Sequence, residues 1–338
     1  MPHPSGPLRH TPAGLQAGAP LSFVGGPLDA LALVAPELER CEATLARMLH
    51  SDVAEVPAVA GHLAAAGGKR LRPALTALGA RILGHDQRVD ELMCVGELIH
   101  LGSLLHDDVV DDGHERRGQP TANVVFGNAV SVLTGDFCLA RAVWLAAQAG
   151  GYRAVEALGR TVTLMAEGEV LQLKRAGDLG CSRADYIEVI ERKSAALISW
   201  CAAGAAYALD DQVAIDALER FGYGVGVAFQ ITDDVLDYQE GTGKAPGVDL
   251  RERKVTLPLL LAMERIPTLR ARLEAGPPSA AQVVDLMQEI RDAGALDHAL
   301  AEAHRLAEHA LAALDVLPDS PEREALRVMG RYLADRSI

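Results

Sequence analysis

Two stretches of this chain run through apolar residues at helical spacing and then end in carboxylates. HDDVVDD carries Asp107, Asp108, Asp111 and Asp112, and ITDDVLDY carries Asp233, Asp234 and Asp237. A helix gathers partial negative charge at its C-terminus, so acids placed there are unfavourable unless a cation meets them. Residues four apart share a helix face, which sets Asp107 beside Asp111 and Asp233 beside Asp237. Repulsion within each pair raises the carboxyl pKa values until positive charge neutralises it. One such cluster reads as a solvated helix end. Here each is preceded on its own face by small and polar residues: Gly96, His100 and Ser103 before Asp107 and Asp111, and Gly222, Gly226 and Gln230 before Asp233 and Asp237. That pattern predicts two helices forming two walls of one cavity. Oxygen ligands without cysteines or paired histidines suit Mg²⁺ better than zinc, and Mg²⁺ is commonly shared between carboxylates and substrate phosphates.

The rest of the sequence predicts helices. Leu296, Leu300, Ala303, Ala307, Ala310 and Leu314 recur at steps of four and three, as do Leu38, Cys41, Leu45 and Met48. Period-two alternation is rare, so no sheet is required. Turn-forming clusters separate the helical stretches at 84–87, 112–121, 175–182, 240–247, 276–279 and 317–321. A length of 338 residues suggests two domains on average size, but no linker divides the core. The expectation is an all-α fold: one large helical bundle over 28–338 with a deep central cavity, preceded by a Pro/Gly-rich tail over 1–27. That tail has no signal-like apolar region, and no apolar run reads as a membrane span. Five scattered cysteines argue against a disulfide framework or zinc site and for small buried side chains in a reducing, cytoplasmic setting.

Composition narrows the ligand. A formal net charge of −14 and an aromatic content of 4% oppose nucleic-acid binding. An anionic ligand must then be met by a metal or a local basic cluster. GGKRLRP supplies Lys69, Arg70 and Arg72, with Gly67 and Gly68 suited to a helix end and Pro73 to the first turn of the next helix. Arg116 and Arg117 follow the first acidic cluster, where they could also salt-bridge its aspartates. Lys193, Lys244 and Lys254 lie downstream. Neither a Walker loop nor a dinucleotide fingerprint is present, and the glycines of GYGVGVAFQ read as sites of close helix packing.

Taken together, these blocks resemble the trans-isoprenyl (polyprenyl) diphosphate synthases, within their long-chain branch. The resemblance runs from about Val34 to the C-terminus. It is carried in order by GGKRLRP, ELIHLGSLLHDDVVDDGHERRGQPTAN, FGNAVSVLTGDF, MAEGEVLQL, YIEVIERKSAAL, FQITDDVLDY, GKAPGVDLRERKVTLPLL and LPDSPEREAL. It implies that Lys69, Arg72, His100 and Arg117 bind isopentenyl diphosphate. It implies that Asp107, Asp108, Asp111, Asp233, Asp234 and Asp237 hold Mg²⁺ against an allylic diphosphate. Arg116, Lys193, Ser194, Gln230, Lys244 and Lys254 would line the allylic diphosphate site. Catalysis would rest on Asp107, Asp108, Asp111, Arg116, Lys193, Asp233 and Asp234. Ser194 stands where the family usually has threonine, Asp112 replaces a frequent glutamate, and the loop 239–247 is slightly short.

The implied reaction is head-to-tail condensation through ionisation of the allylic substrate, with the departed diphosphate as proton acceptor. His106 and His114 read as helix-end and loop residues. The family gates product length four and five residues before the first aspartate motif. Here those residues are Ser103 and Gly102, whose small size favours a long, octaprenyl-like product; Trp144 is one candidate for the cavity floor, although a lone Trp more often reads as packed core. A medium-chain, geranylgeranyl-type synthase and a non-catalytic subunit of a heteromeric synthase are the alternatives. The resemblance also implies a homodimer, with transient membrane contact to release product.

Overall fold

The computed structural model describes residues 25–65, 68, 70–116, 118–239 and 247–335. Nearly all of the expected tail, together with Lys69, Arg117 and Lys244, lies outside these residues. The principal helices are α1 (Ala35–Met48), α2 (Leu71–Ile82), α3 (Val89–Val110), α4 (Asn128–Leu145), α5 (Gly151–Lys174) and α6 (Arg183–Ile190). They are followed by α7 (Ala196–Leu209), α8 (Gln212–Leu236), α9 (Val248–Glu252), α10 (Leu257–Arg265), α11 (Ala295–Leu311) and α12 (Pro321–Ala334). Among the described residues the only sheet is a hairpin of two-residue strands, β1 (Glu115–Arg116) and β2 (Gln119–Pro120). The fold is an all-α bundle.

Local chemistry explains where helices start. Ser182 and Asp185 form a reciprocal capping box on α6, with Ser182 N donating to Asp185 Oδ2 at 2.9 Å. Ser320 accepts from Arg323 N at 3.1 Å, and Pro321 fills the first position of α12. The amphipathic patterns hold. Cys41 and Leu45 of α1 are buried, as are Leu296, Ala303, Ala307 and Ala310 of α11.

The buried side chains form two contiguous clusters that meet on α8. Phe221 and Val225 belong to the first, and Val227, Ala228, Ile231 and Val235 to the second. α7 is buried along nearly its whole length and packs against α2, α3, α5 and α8. Its small residues let neighbours approach. A Cβ on Gly96 of α3 would lie 2.4 Å from Cys201 Sγ, and one on Gly222 of α8 would lie 2.6 Å from Ser199 Cα. The deep ends of the two small-residue stripes are therefore filled by α7. All five cysteines are buried free thiols.

The stretch Asn128–Lys174 is long and apolar enough to cross a membrane by composition, with a window of mean hydropathy 1.4 that is 39% buried. By length and composition alone this is weak evidence of a span, since a core helix passes the same test. The inward face of the stretch packs on α3 and α7, while Leu133, Val143 and Trp144 of α4 are exposed. Trp144 thus lies on the outer surface rather than at a cavity floor, because it falls on the face of α4 turned away from α3.

Candidate active site

α3 ends at Val110, so Asp107 and Asp108 occupy its last turn and Asp111 its C-cap. Asp112 follows in the left-handed conformation, with φ +49°. The turn is braced from the far side: Asn123 Nδ2 donates to the carbonyls of Asp108 and Gly113 at 3.1 Å each, and Thr121 Oγ1 donates to Gly113 O at 2.6 Å. α8 ends at Leu236, which places Asp233 and Asp234 in its last turn and Asp237 at its C-cap.

These two helix ends meet at a cavity of about 210 Å³. Asp111 lines it from α3, and Gln230 and Asp234 from α8. Lys193 and Ser194 enter from the turn between α6 and α7, Tyr186 from α6, and Lys254 from the segment after α9. Five residues expected to meet the allylic diphosphate or its metal thus converge with Asp111 on one space.

The carboxylates of each motif divide their work. Asp108 is 4% exposed, and its Oδ1 accepts from Arg116 Nε at 3.0 Å and Nη2 at 2.7 Å. The pairing of Arg116 with an aspartate is therefore real, and the β1–β2 hairpin is what delivers it. Asp107 is half-buried and Asp111 exposed at the rim. Burial pushes the Asp107 carboxyl up to about 6, with Glu169 and Asp111 adding to the rise while Lys193 and Arg116 oppose it. In the second motif Asp234 is buried and doubly hydrogen-bonded: Tyr186 Oη donates to Oδ2 at 2.7 Å and Gln230 Nε2 to Oδ1 at 2.9 Å. Burial raises its pKa against the pull of Lys254 and these donors. Asp237 accepts from the backbone N–H groups of Val248 (3.3 Å) and Asp249 (3.0 Å), so it also holds the start of α9.

The basic groups are held by acids at the cavity wall. Lys193 forms an ion pair with Glu169 of α5. Burial alone would lower the Lys254 pKa, but Asp249, Asp234, Asp233 and Asp237 together raise it. Lys254 Nζ lies 3.6 Å from Asp249 Oδ1, and burial lifts the Asp249 carboxyl to about 7. Ser194 Oγ donates to Gln230 Oε1 at 2.7 Å, which completes a relay from Ser194 through Gln230 to Asp234.

Other expected residues sit apart from this cavity. Arg72 lies in the first turn of α2, and its Nε is buried without a hydrogen-bond partner among the described residues. His100 is half-buried on α3, one turn before Ser103, whose Oγ donates to His100 O at 2.9 Å. Gly102 faces α4, where a Cβ would lie 3.0 Å from Gly135 O. His106 ties the same two helices through Val132 O (3.1 Å) and Asp136 (3.3 Å). Three site residues were missed from sequence: Glu169, Tyr186 and Asp249. Each lies within a recognised block, but nothing in local spacing says which distant residue it will meet.

The acids fit a hard divalent cation. Asp108 Oδ2 is buried with no hydrogen-bond partner among the described residues, beside the half-buried Asp107, whose pKa burial raises first and Glu169 and Asp111 raise further. Among the described residues no group of three or more His, Cys, Asp or Glu side chains forms a ready metal cage.

Comparison with known proteins agrees with this geometry. Residues 53–290 match the family described as Polyprenyl synthetase. The chain is 37% identical over 318 residues to an octaprenyl diphosphate synthase of Haemophilus influenzae, covering 90% of this chain and 95% of that protein. A crystal structure of a polyprenyl synthase from Caulobacter crescentus, complexed with calcium and isoprenyl diphosphate, superposes with a TM-score of 0.86 at 40% identity, covering 92% of this chain and 98% of that one. A decaprenyl diphosphate synthase from Rhodobacter capsulatus gives 0.85 at 35% identity, covering 92% and 99%. With a family match across most of the bundle and a fold shared over nearly the full length, the chain belongs to the polyprenyl synthetase family.

Proposed function

We propose that this protein is a trans-prenyltransferase that condenses isopentenyl diphosphate head-to-tail onto an allylic diphosphate such as farnesyl diphosphate. The product would be a long-chain, octaprenyl-like polyprenyl diphosphate for quinone side chains. The observation that carries this reading is the convergence of Asp111, Lys193, Ser194, Gln230, Asp234 and Lys254 on one cavity.

Mg²⁺, held by Asp107, Asp111 and Asp233 with Asp108, Asp234 and Asp237 supporting them, would supply Lewis-acid stabilisation of the leaving diphosphate. The protein's own groups do the rest. The Lys193 and Lys254 ammoniums take up charge that develops on the diphosphate as the allylic C–O bond breaks. The Ser194 hydroxyl and Gln230 amide orient the same group. Tyr186 keeps the buried Asp234 hydrogen-bonded. Lys69, Arg72, His100 and Arg117 would hold isopentenyl diphosphate so that its double bond faces the cation. The apolar part of the wall, including Val189 and Ile190, excludes water that would quench it. Lys244 would also line the allylic diphosphate site.

We read 28–338 as one catalytic domain acting in the cytoplasm as a homodimer, without nucleic-acid partners and with membrane contact only as product leaves. The exposed apolar residues Leu133, Val143 and Trp144 on α4 supply a face for a second copy. Incubation with isopentenyl diphosphate, farnesyl diphosphate and Mg²⁺, followed by sizing of the products, tests the function. A C40-class product is expected. No elongation by folded protein would overturn the enzyme reading, and a product stopping near C20 would overturn the long-chain assignment.

A further inference from the structure

The segment Glu191–Ala195, which joins α6 to α7, is a π turn, and it carries both Lys193 and Ser194. Such a turn inserts one extra residue into an otherwise α-helical path, and it recurs at functional sites. Two glycines, on two different helices, press against it. A Cβ on Gly168 of α5 would lie 2.6 Å from Lys193 N, 2.9 Å from Arg192 Cβ and 3.1 Å from Arg192 C. A Cβ on Gly226 of α8 would lie 2.7 Å from Ala195 Cα and 3.0 Å from Ala195 Cβ. The obstructing atoms are backbone or Cβ, so no side-chain rotation can make room. Gly159, earlier on α5, would meet nothing within 4 Å. Within the body of α5, then, the steric demand for glycine falls at the π turn and not at Gly159.

The receiving groups stand next to the same glycines. Glu169, adjacent to Gly168, pairs with Lys193. Gln230, one turn beyond Gly226, accepts from Ser194 Oγ at 2.7 Å. An α turn would rotate the residues before the bulge by roughly 100° relative to those after it, which would take Lys193 or Ser194 out of the cavity.

We propose that Gly168 and Gly226 form a clamp that holds 191–195 as a π turn and so aims the Lys193 ammonium and the Ser194 hydroxyl into one cavity. They are positioning residues, since neither touches substrate. The proposal rests on the reading of Lys193 and Ser194 as ligands of the allylic diphosphate.

The test compares Gly168→Ala and Gly226→Ala with Gly159→Ala as the control. Both clamp variants should raise KM for farnesyl diphosphate at least tenfold while KM for isopentenyl diphosphate stays within twofold, and Gly159→Ala should change neither. Titration calorimetry with inorganic diphosphate and Mg²⁺ should show the same tenfold weakening. Unchanged farnesyl diphosphate KM in folded clamp variants, or equal losses for both substrates, would overturn the proposal. If the variants fail to fold, a chain lacking Ala195 restores α-helical continuity, and its retention of normal farnesyl diphosphate KM would be equally fatal. Amide exchange without substrate separates the two assignments. Altered protection confined to 191–196 in the clamp variants supports the clamp even if the wild type proves unable to bind diphosphate, and an unaltered pattern rejects it.

Discussion

The phenol of Tyr186 donates to Asp234 Oδ2 at 2.7 Å, and both groups are buried. The bond ties α6 to the last turn of α8, fixes a carboxylate of the second aspartate motif and opposes the rise in its pKa that burial causes. Tyr186→Phe retains the ring but leaves that oxygen without its donor. The expected cost is about 1–3 kcal/mol of stability, read from urea unfolding, together with a fall in kcat at neutral pH. A variant with wild-type midpoint and turnover would show that the bond serves neither purpose.

Ser194 reaches Gln230 through its hydroxyl alone. Ser194→Thr should preserve activity because it keeps that hydroxyl. Ser194→Ala should raise KM for the allylic substrate several-fold, corresponding to about 1 kcal/mol for one lost hydrogen bond. Steady-state kinetics with each substrate varied in turn separates the two.

Asp107 carries a pH signature. Burial first, then Glu169 and Asp111, raise its carboxyl to about 6, above the unfolded value of about 3.9. The folded metal-free protein therefore binds this proton more tightly than the unfolded chain, and its stability falls as pH rises from about 4 to 6. Asp107→Asn should remove that penalty. The gap between about 3.9 and about 6 corresponds to about 3 kcal/mol, and solvent at the half-buried site reduces the expected gain to about 1 kcal/mol. In EDTA the variant should melt higher than wild type at pH 8 and equal it near pH 4, while losing most activity with Mg²⁺. Equal melting at both pH values would refute the assignment.

Ser103 and Gly102 should behave differently although they are neighbours. Ser103 shares a face with Asp107, so Ser103→Phe is expected to shorten the product. Chromatography of the extracted prenyl alcohols showing unchanged length would sink that idea. Gly102 faces Gly135 O of α4. Gly102→Ala should instead cost about 1–3 kcal/mol through overpacking, seen as a lower melting temperature with product length kept.

Leu133 and Trp144 are 66% and 47% exposed on one apolar helix. If this face joins two copies, Leu133→Asp should give a monomer by sedimentation at micromolar concentration. A dimer that persists would place the interface elsewhere.

Much of the site was legible before any fold was known, because helical spacing fixes which residues share a face. The i,i+4 pairing of Asp107 with Asp111, and the stripe through Gln230 to Asp233, follow from 3.6 residues per turn. The glycines of α8 were readable as packing sites for the same reason, and Gly222 and Gly226 do abut the backbone of α7 and its preceding turn. The limit of such reading shows at Trp144. Apolar patterning marks it as a residue to bury, yet it lies outside, because the pattern does not say which flank of α4 meets α3.

By itself, then, the sequence determined the all-α architecture, the two acidic helix ends and the basic residues available to an anion. Periodicity and end chemistry are local properties of the chain. The tertiary structure decided which acids face the cavity and which serve the scaffold: Asp108 is held by Arg116 across a hairpin, Asp237 starts α9, and Glu169 meets Lys193. It also decided the π turn at Lys193, which no propensity encodes. That turn depends on backbone approaching backbone at Gly168 and Gly226, a distance set only when α5, α7 and α8 pack together.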